Sequence, residues 1–197
     1  MDHKNQVHLF YSKLPNEYTP IDVKNEIRNL EIEKIKNTDV KKEKTYAWLL
    51  LLYAIKQVYG YEHYEVTFEK LKSGKWICDK CHFSISHRRD YVAIVVSSNN
   101  IGVDIEQNKI PIKNFLSKIA NDNEVKLYDN SKAIELWTKK ESLFKLVGEK
   151  LFSLKKLNTE EYCFETIYVD DYIISIATDD KVDVKVHEVI NQKDVLC

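Results

Sequence analysis

The sequence predicts an α+β fold made of two similar halves, each a long helix packed on a small antiparallel sheet. Three observations point there. Residues 45–55 (TYAWLLLLYAI) are apolar on nearly every face, as a buried central helix is. Two β-type segments, Tyr91–Ser97 and Tyr172–Thr178, occupy equivalent places, each following a Trp-containing helix (Trp48, Trp137). Each also precedes an Asn- or Asp-rich turn, Asn99-Asn100 and Asp179-Asp180, that reads as a tight hairpin. A period this long argues for a duplicated α+β unit rather than a solenoid. The halves would be residues 1–108 and 109–197.

In chain order, a first strand is expected around residues 7–11, then a loop bracketed by Pro15 and Pro20. Residues 25–44, rich in Lys and Glu, predict a solvated helix running into the apolar one, which Gly60 closes as a C-terminal cap. Strands are expected over residues 64–68, 91–97 and 101–106, followed by a polar connector at 107–111. Helices over 112–128 and 131–147 come next. Strands at 162–169, 172–178 and 182–186 complete the chain.

Composition narrows the function classes. With 197 residues, 44% hydrophobic and 11% aromatic, the chain can bury a real core and is not disordered. A net charge of −1 argues against non-specific nucleic-acid binding. Only four glycines are present, and none forms G-x-G-x-x-G or a Walker A sequence. Nucleotide handling would therefore fall to side chains, helix ends and metal. Residues 1–10 lack a secretory pattern, and the longest apolar run, 47–55, is far short of the ~20 residues of a membrane span. Cysteines at 78, 81, 163 and 197 are too sparse for a disulfide scaffold, so the expectation is a soluble, reduced, cytoplasmic protein.

Three stretches could carry chemistry. In Gly102-Val-Asp104-Ile-Glu106, strand alternation puts both carboxylates on one face and Val103 and Ile105 in the core. Paired carboxylates suit Mg²⁺, although D-x-E alone also reads as an ordinary strand with an acidic face. In Trp137-Thr-Lys-Lys-Glu141-Ser-Leu-Phe-Lys145-Leu-Val-Gly148, positions 137, 141, 145 and 148 share a helix face. A surface salt bridge explains Glu141 and Lys145, but Trp137 and Gly148 argue that this face packs closely. In Phe83-Ser-Ile-Ser-His87, a half-buried strand ends on a histidine that could meet a phosphate or sit idle in a loop. Cys78-Asp-Lys-Cys81-His82 has haem-attachment spacing and half a zinc site. With no second ligand pair it reads as incidental or structural thiols, a redox pair being the next reading.

Together and in this order, the three stretches resemble the Sfp-type 4′-phosphopantetheinyl transferase family of the holo-carrier-protein synthase superfamily. F-N-[IL]-S-H-S is similar to residues 83–88, G-[IV]-D-[IV]-E to residues 102–106, and W-[ST]-x-K-E-[AS]-x-x-K-x-x-G-x-G-L to residues 137–151. Gly74-Lys75 resembles the start of the family's G-K-P. The sequence departs from the pattern at Trp76, Ser84, Arg88 and Lys150, none a proposed metal ligand.

The resemblance implies a pseudo-dimeric fold of two α+β halves with the site between them, so that a monomer suffices. It also implies Mg²⁺-dependent transfer of phosphopantetheine from coenzyme A to a serine of an apo acyl or peptidyl carrier protein, releasing adenosine 3′,5′-bisphosphate. Neither nucleic acid nor membrane is an implied partner. On this resemblance Asp104, Glu106 and Glu141 would hold Mg²⁺, and Lys145 would contact the pyrophosphate and assist the leaving group. Glu141 would be the base for the serine proton, and Ser86 and His87 would bind coenzyme A phosphate. Thr45 and Lys75 would hold the nucleotide end, with a lysine among Lys34, Lys36, Lys41, Lys42 and Lys44 on the 3′-phosphate. The alternative is a non-catalytic module of the same fold that binds coenzyme A or a carrier protein.

Overall fold

The computed structural model of the protein describes residues 6–17, 19–109, 114–148, 153–190 and 192–195. Expectations placed on residues 1–5, 110–113, Lys150, Leu151 and Cys197 lie outside the described residues. β1 (Gln6–Lys13) leads to α1 (Glu26–Glu33) and α2 (Thr38–Tyr59). The polar stretch 25–44 is thus broken in two. Asn25 caps α1 by accepting from Arg28 N–H, and Asn37, extended at φ −76° and ψ 118°, caps α2 by accepting from Val40 N–H. Two Asn caps twelve positions apart compete with helix continuation there. Gly60, at φ 75°, closes α2 as expected.

A short antiparallel arm follows, β2 (Phe68–Lys70) and β3 (Trp76–Cys78), replacing the strand expected at 64–68, of which 63–65 form a 3-10 turn. The β4 (His82–Arg88) and β5 (Tyr91–Ser97) hairpin comes next, then β6 (Gly102–Gln107). The helix expected over 112–128 appears as two short pieces, α3 (Phe115–Ile119) and α4 (Glu124–Leu127). α5 (Ala133–Val147), the hairpin β7 (Cys163–Val169) and β8 (Tyr172–Thr178), and β9 (Asp183–Glu188) complete the order.

The strands form a four-stranded sheet in the order β4-β5-β1-β9 and a three-stranded sheet in the order β6-β8-β7, beside the β2-β3 arm. Each of the two larger sheets contains one hairpin, β4-β5 or β7-β8, whose second strand lies inside the sheet. Neither Asn99-Asn100 nor Asp179-Asp180 makes the hairpin that residue chemistry predicts. β6 leaves β5 to pair with β8, and β9 leaves β8 to run parallel to β1. The two turns send the chain in opposite directions between the sheets. Turn residues permit a reversal, but the partner of the next strand is chosen by which apolar face it must cover.

The sheets lie face to face. Val7, Leu9, Ala93 and Val95 of one pack on Val103, Ile105, Ile174 and Ile176 of the other. α2 covers the outer face of the first sheet through Trp48, Leu51 and Ile55 against Phe10, Ile94 and Phe83. On the second sheet, α5 packs Leu143 and Leu146 near Ala177. β5 and β8 are buried on both faces, which explains their unbroken apolar runs. The helix–sheet–sheet–helix stack leaves the edges β4 and β6 side by side. Ser84 Oγ accepts from Val103 N–H at 3.1 Å and Ser86 Oγ from Ile105 N–H at 3.3 Å, so two serines stitch this seam without a backbone ladder.

Candidate active site

The seam positions the carboxylates. Gly102, Asp104 and Glu106 lie on the face of β6 opposite Val103 and Ile105, toward α5. α5 approaches so closely at Gly102 that a Cβ there would lie 2.7 Å from Leu146 N and closer still to Ser142 O. Ala177 is the register partner of Gly102 on β8, so the helix rests on two small residues. That contact brings Glu141 and Lys145, one turn apart on α5, over Asp104 and Glu106. Gly148 ends α5 in the left-handed region at φ 70°, where glycine is favoured.

Asp104 is buried. Its Oδ1 accepts from Ser86 Oγ at 2.8 Å and Lys145 Nζ at 2.8 Å, and Lys145 also donates to Val103 O at 2.9 Å. The Oδ2 atom of Asp104 is buried with no hydrogen-bond partner. Glu106 Oε2 lies 2.9 Å from Arg88 Nε, and the Trp137 side chain hydrogen-bonds the same carboxylate. Burial, then the Asp104 charge, push the Glu106 carboxyl above its usual range despite Arg88. Glu141 is raised by the same two causes, partly offset by Lys145. Three carboxylates thus crowd one place at an electrostatic cost that a cation would relieve.

The donor set fits a divalent cation of the Mg²⁺ kind: oxygen ligands only, raised carboxyls, and one buried carboxylate oxygen left unpartnered. Among the described residues, however, no three His, Cys, Asp or Glu side chains already converge as a metal cage. Lys145 and Arg88 occupy part of the carboxylates' coordination capacity.

Beside the carboxylates opens a cleft of about 330 Å³ between the β2-β3 arm, β4 and α5. Trp76, Phe83, Ile85 and Phe144 give it an apolar wall, and Arg28, Lys75 and Lys145 line it with positive charge. The arm is anchored by Trp48, whose ring lies 4.7 Å from Phe68 and 5.0 Å from Trp76. Lys75 Nζ donates to Lys145 O at 3.2 Å, tying the arm to the end of α5. Burial lowers the Lys75 pKa.

Asp104, Glu106, Glu141, Lys145, Ser86 and Lys75 therefore gather around one seam and its cleft. His87 sits at the end of β4, with Nδ1 2.8 Å from Glu43 Oε2 in an ion-pair contact rather than an aligned hydrogen bond. Burial outweighs that carboxylate and lowers the imidazole pKa. Thr45 lies inside α2 rather than at its head, fully buried, donating to Lys41 O at 2.9 Å. None of the lysines from 34 to 44 is among the described residues lining the cleft, whereas Arg28 is, over the Trp48 ring at 5.3 Å.

Residues to which the sequence reading gave no role are Arg28, Glu43, Arg88 and Lys140. Lys140, next to Glu141, is fully buried, 2.6 Å from the equally buried Glu124 Oε2, and it donates to Leu154 O and Leu157 O. Thr159 Oγ1 and the N–H of Asn121 donate to the same Glu124 carboxylate. The lysine of W-[ST]-x-K-E falls on Lys140, so the signal was in the motif, although a motif does not say that this side chain is spent on a buried ion pair.

Against this geometry, the 4′-phosphopantetheinyl transferase superfamily model matches residues 100–187, a span holding β6 and α5 with their carboxylates. A protein of Aneurinibacillus migulanus named 4′-phosphopantetheinyl transferase gsp is 28% identical over 163 residues, 74% of this chain and 68% of that protein. Among the described residues no helix is long and apolar enough to cross a membrane.

Proposed function

We propose that the chain belongs to the 4′-phosphopantetheinyl transferase superfamily, whose model matches residues 100–187, and that it moves phosphopantetheine from coenzyme A to a serine of an apo acyl or peptidyl carrier protein. The observation that carries this reading is the convergence of Asp104 and Glu106 from β6 with Glu141 and Lys145 from α5 beside a cleft with two further cations. Attack of a serine hydroxyl on the β-phosphorus of a pyrophosphate needs charge neutralised, a proton removed and a leaving phosphate stabilised.

Asp104, Glu106 and Glu141 would hold Mg²⁺, which when bound screens the pyrophosphate charge and orients its oxygens. Lys145, held by Asp104 and Val103 O at the edge of the cleft, would contact the pyrophosphate and assist the leaving group. Glu141 takes the serine proton, directly or through a water. Ser86 holds Asp104 Oδ1, so it acts through that carboxylate as well as through any phosphate it meets. Lys75 and Arg28 offer the cleft's charge to the nucleotide phosphates, while the Trp76 and Phe83 wall suits the nucleotide base. His87, held by Glu43, lies at the edge of this region. The reading includes two fused halves, residues 1–108 and 109–197, as a sufficient monomer, although β6 of the first crosses to pair with β8 and β9 of the second returns to pair with β1.

Incubation of the protein with coenzyme A, Mg²⁺ and several apo carriers of the fatty-acid, polyketide and peptide kinds tests the reading. Intact-mass measurement should show a phosphopantetheine adduct on at least one. Binding of coenzyme A with no adduct on any carrier would replace the enzyme by the non-catalytic binding module.

A further inference from the structure

Cys78 and Cys81 are not among the residues lining the cleft, and the proposed transfer gives them no role. Cys78 ends β3 and Cys81 immediately precedes β4, and their sulfurs stand 3.6 Å apart as free thiols. Cys81 is buried and Cys78 is half-buried, so one sulfur is sheltered while the other meets solvent. The turn between them is pinned, because Thr67 N–H donates to Asp79 Oδ1 at 2.8 Å and Asp79 N–H to Thr67 O at 3.2 Å. Among the described residues no third His, Cys, Asp or Glu joins the pair to hold a metal.

We propose that Cys78 and Cys81 form a redox-active dithiol that closes to an intramolecular disulfide by exchange with a low-molecular-weight disulfide. The Cys78 thiolate attacks one sulfur of the reagent; a Cys78–sulfur bond forms, the reagent's S–S bond breaks, and the first thiolate leaves and takes a proton from water. Cys81 then gives its proton to solvent and attacks the Cys78 sulfur, expelling the second thiolate, which is protonated in turn. Two protein thiols are oxidised and one small disulfide is reduced to two thiols.

The surroundings suit this division of labour. Cys78 Sγ donates to Cys81 O at 3.1 Å, and its interactions with the Cys81 thiol and the backbone N–H groups of Lys80 and Cys81 draw its pKa down to about 7 against the opposing effect of burial. Cys81 is pushed up, first by its hydrogen bond to Cys78 and then by burial. The first of these causes disappears once Cys78 is in a mixed disulfide, so the resolving thiol is released when it is needed. The bridge would sit at the base of the arm that carries Lys75 and Trp76, where the protein's redox state meets its cleft.

The test treats the reduced full-length protein with oxidised glutathione, quenches by alkylation and maps each cysteine by peptide mass. Near neutral pH, Cys78 should react several-fold faster than Cys163, because its own pKa is drawn down and part of that gain survives the lower nucleophilicity of a more acidic thiol. Its rate should inflect near pH 7, and the product should be the 78–81 bridge. In Cys81→Ser the reaction should stop at glutathione on Cys78, and in Cys78→Ser no bridge should form. Equal rates at Cys78 and Cys163 in the wild-type protein, or a wild-type product without the 78–81 bridge, would overturn the proposal whatever the variants do.

Discussion

Replacing Gly102 by Ala separates two physical accounts of the same residue. Its backbone is outside the left-handed region, so if conformational freedom were the whole story, alanine would stabilise by about 0.4–1 kcal/mol through the unfolded chain. The contact with α5 predicts the opposite. The new methyl carbon would stand 2.7 Å from Leu146 N and 3.0 Å from Ser142 C, where ordinary contact begins at 3.4 Å, and every one of these atoms is backbone. The helix must therefore recede from β6 by something on the order of 1 Å, because a close-packed interior offers no slack. Overpacking of this kind costs ~1–3 kcal/mol, which for a chain of this size lowers Tm by roughly 2–12 °C. The same movement draws Glu141 and Lys145 away from Asp104 and Glu106, and misplacement on that scale costs about 100-fold in rate. Thermal unfolding followed by circular dichroism and carrier-modification kinetics read both effects. An unchanged or raised Tm with full activity would refute the close-packing argument.

Other outcomes follow from the same geometry. Lys140→Met should destabilise by ~3–5 kcal/mol, because it leaves Glu124 charged and unpaired in the interior; adding Glu124→Leu should restore most of the loss in denaturant titrations, and a Lys140→Met protein as stable as wild type would remove the pair from the account. The raised carboxyls of Glu106 and Glu141 make the folded state bind protons more readily than the unfolded chain. Their contribution to stability is thus present below the ordinary carboxylate pKa and lost as pH rises through the folded values. Mg²⁺ at ~100-fold above its Kd should return about 2.7 kcal/mol. The resulting rise in Tm should be larger at about pH 8 than at about pH 5, because protons compete more strongly for the raised carboxyls at the lower pH; an equal rise at both would count against cation binding there. Asp104→Ala should abolish Mg²⁺-dependent transfer while leaving the circular dichroism spectrum unchanged, and full activity would take Asp104 out of the site.

The legible parts of the molecule are those set by local chemistry. Period-2 alternation in residues 102–106 put Asp104 and Glu106 on one face, and the α5 phase put Glu141 above Lys145, both as observed. The apolar run 45–55 announced the buried helix, and Gly60 its end. Asn99-Asn100 and Asp179-Asp180 were misleading for a physical reason: a turn signal specifies that the chain bends, not which strand receives it. Arg28 escaped notice because its role depends on α1 lying over Trp48, a contact across twenty residues. The lysines of 34–44, prominent by number, do not reach the cleft among the described residues.

By itself, then, the sequence determined the α+β class, the central helix, and the identity and facing of the carboxylates and of Lys145. All of these follow from side-chain periodicity and burial within a few turns of chain. Only the tertiary structure decided that the sheets exchange strands, that Ser84 and Ser86 stitch β4 to β6, and that Gly102 lets α5 descend onto the acidic strand. The same is true of the thiols of Cys78 and Cys81, which spacing alone did not place and which the pinned turn brings to 3.6 Å of each other. Those features are distances between residues far apart in the chain or set by a turn's folded shape, and packing energy rather than local preference chooses them.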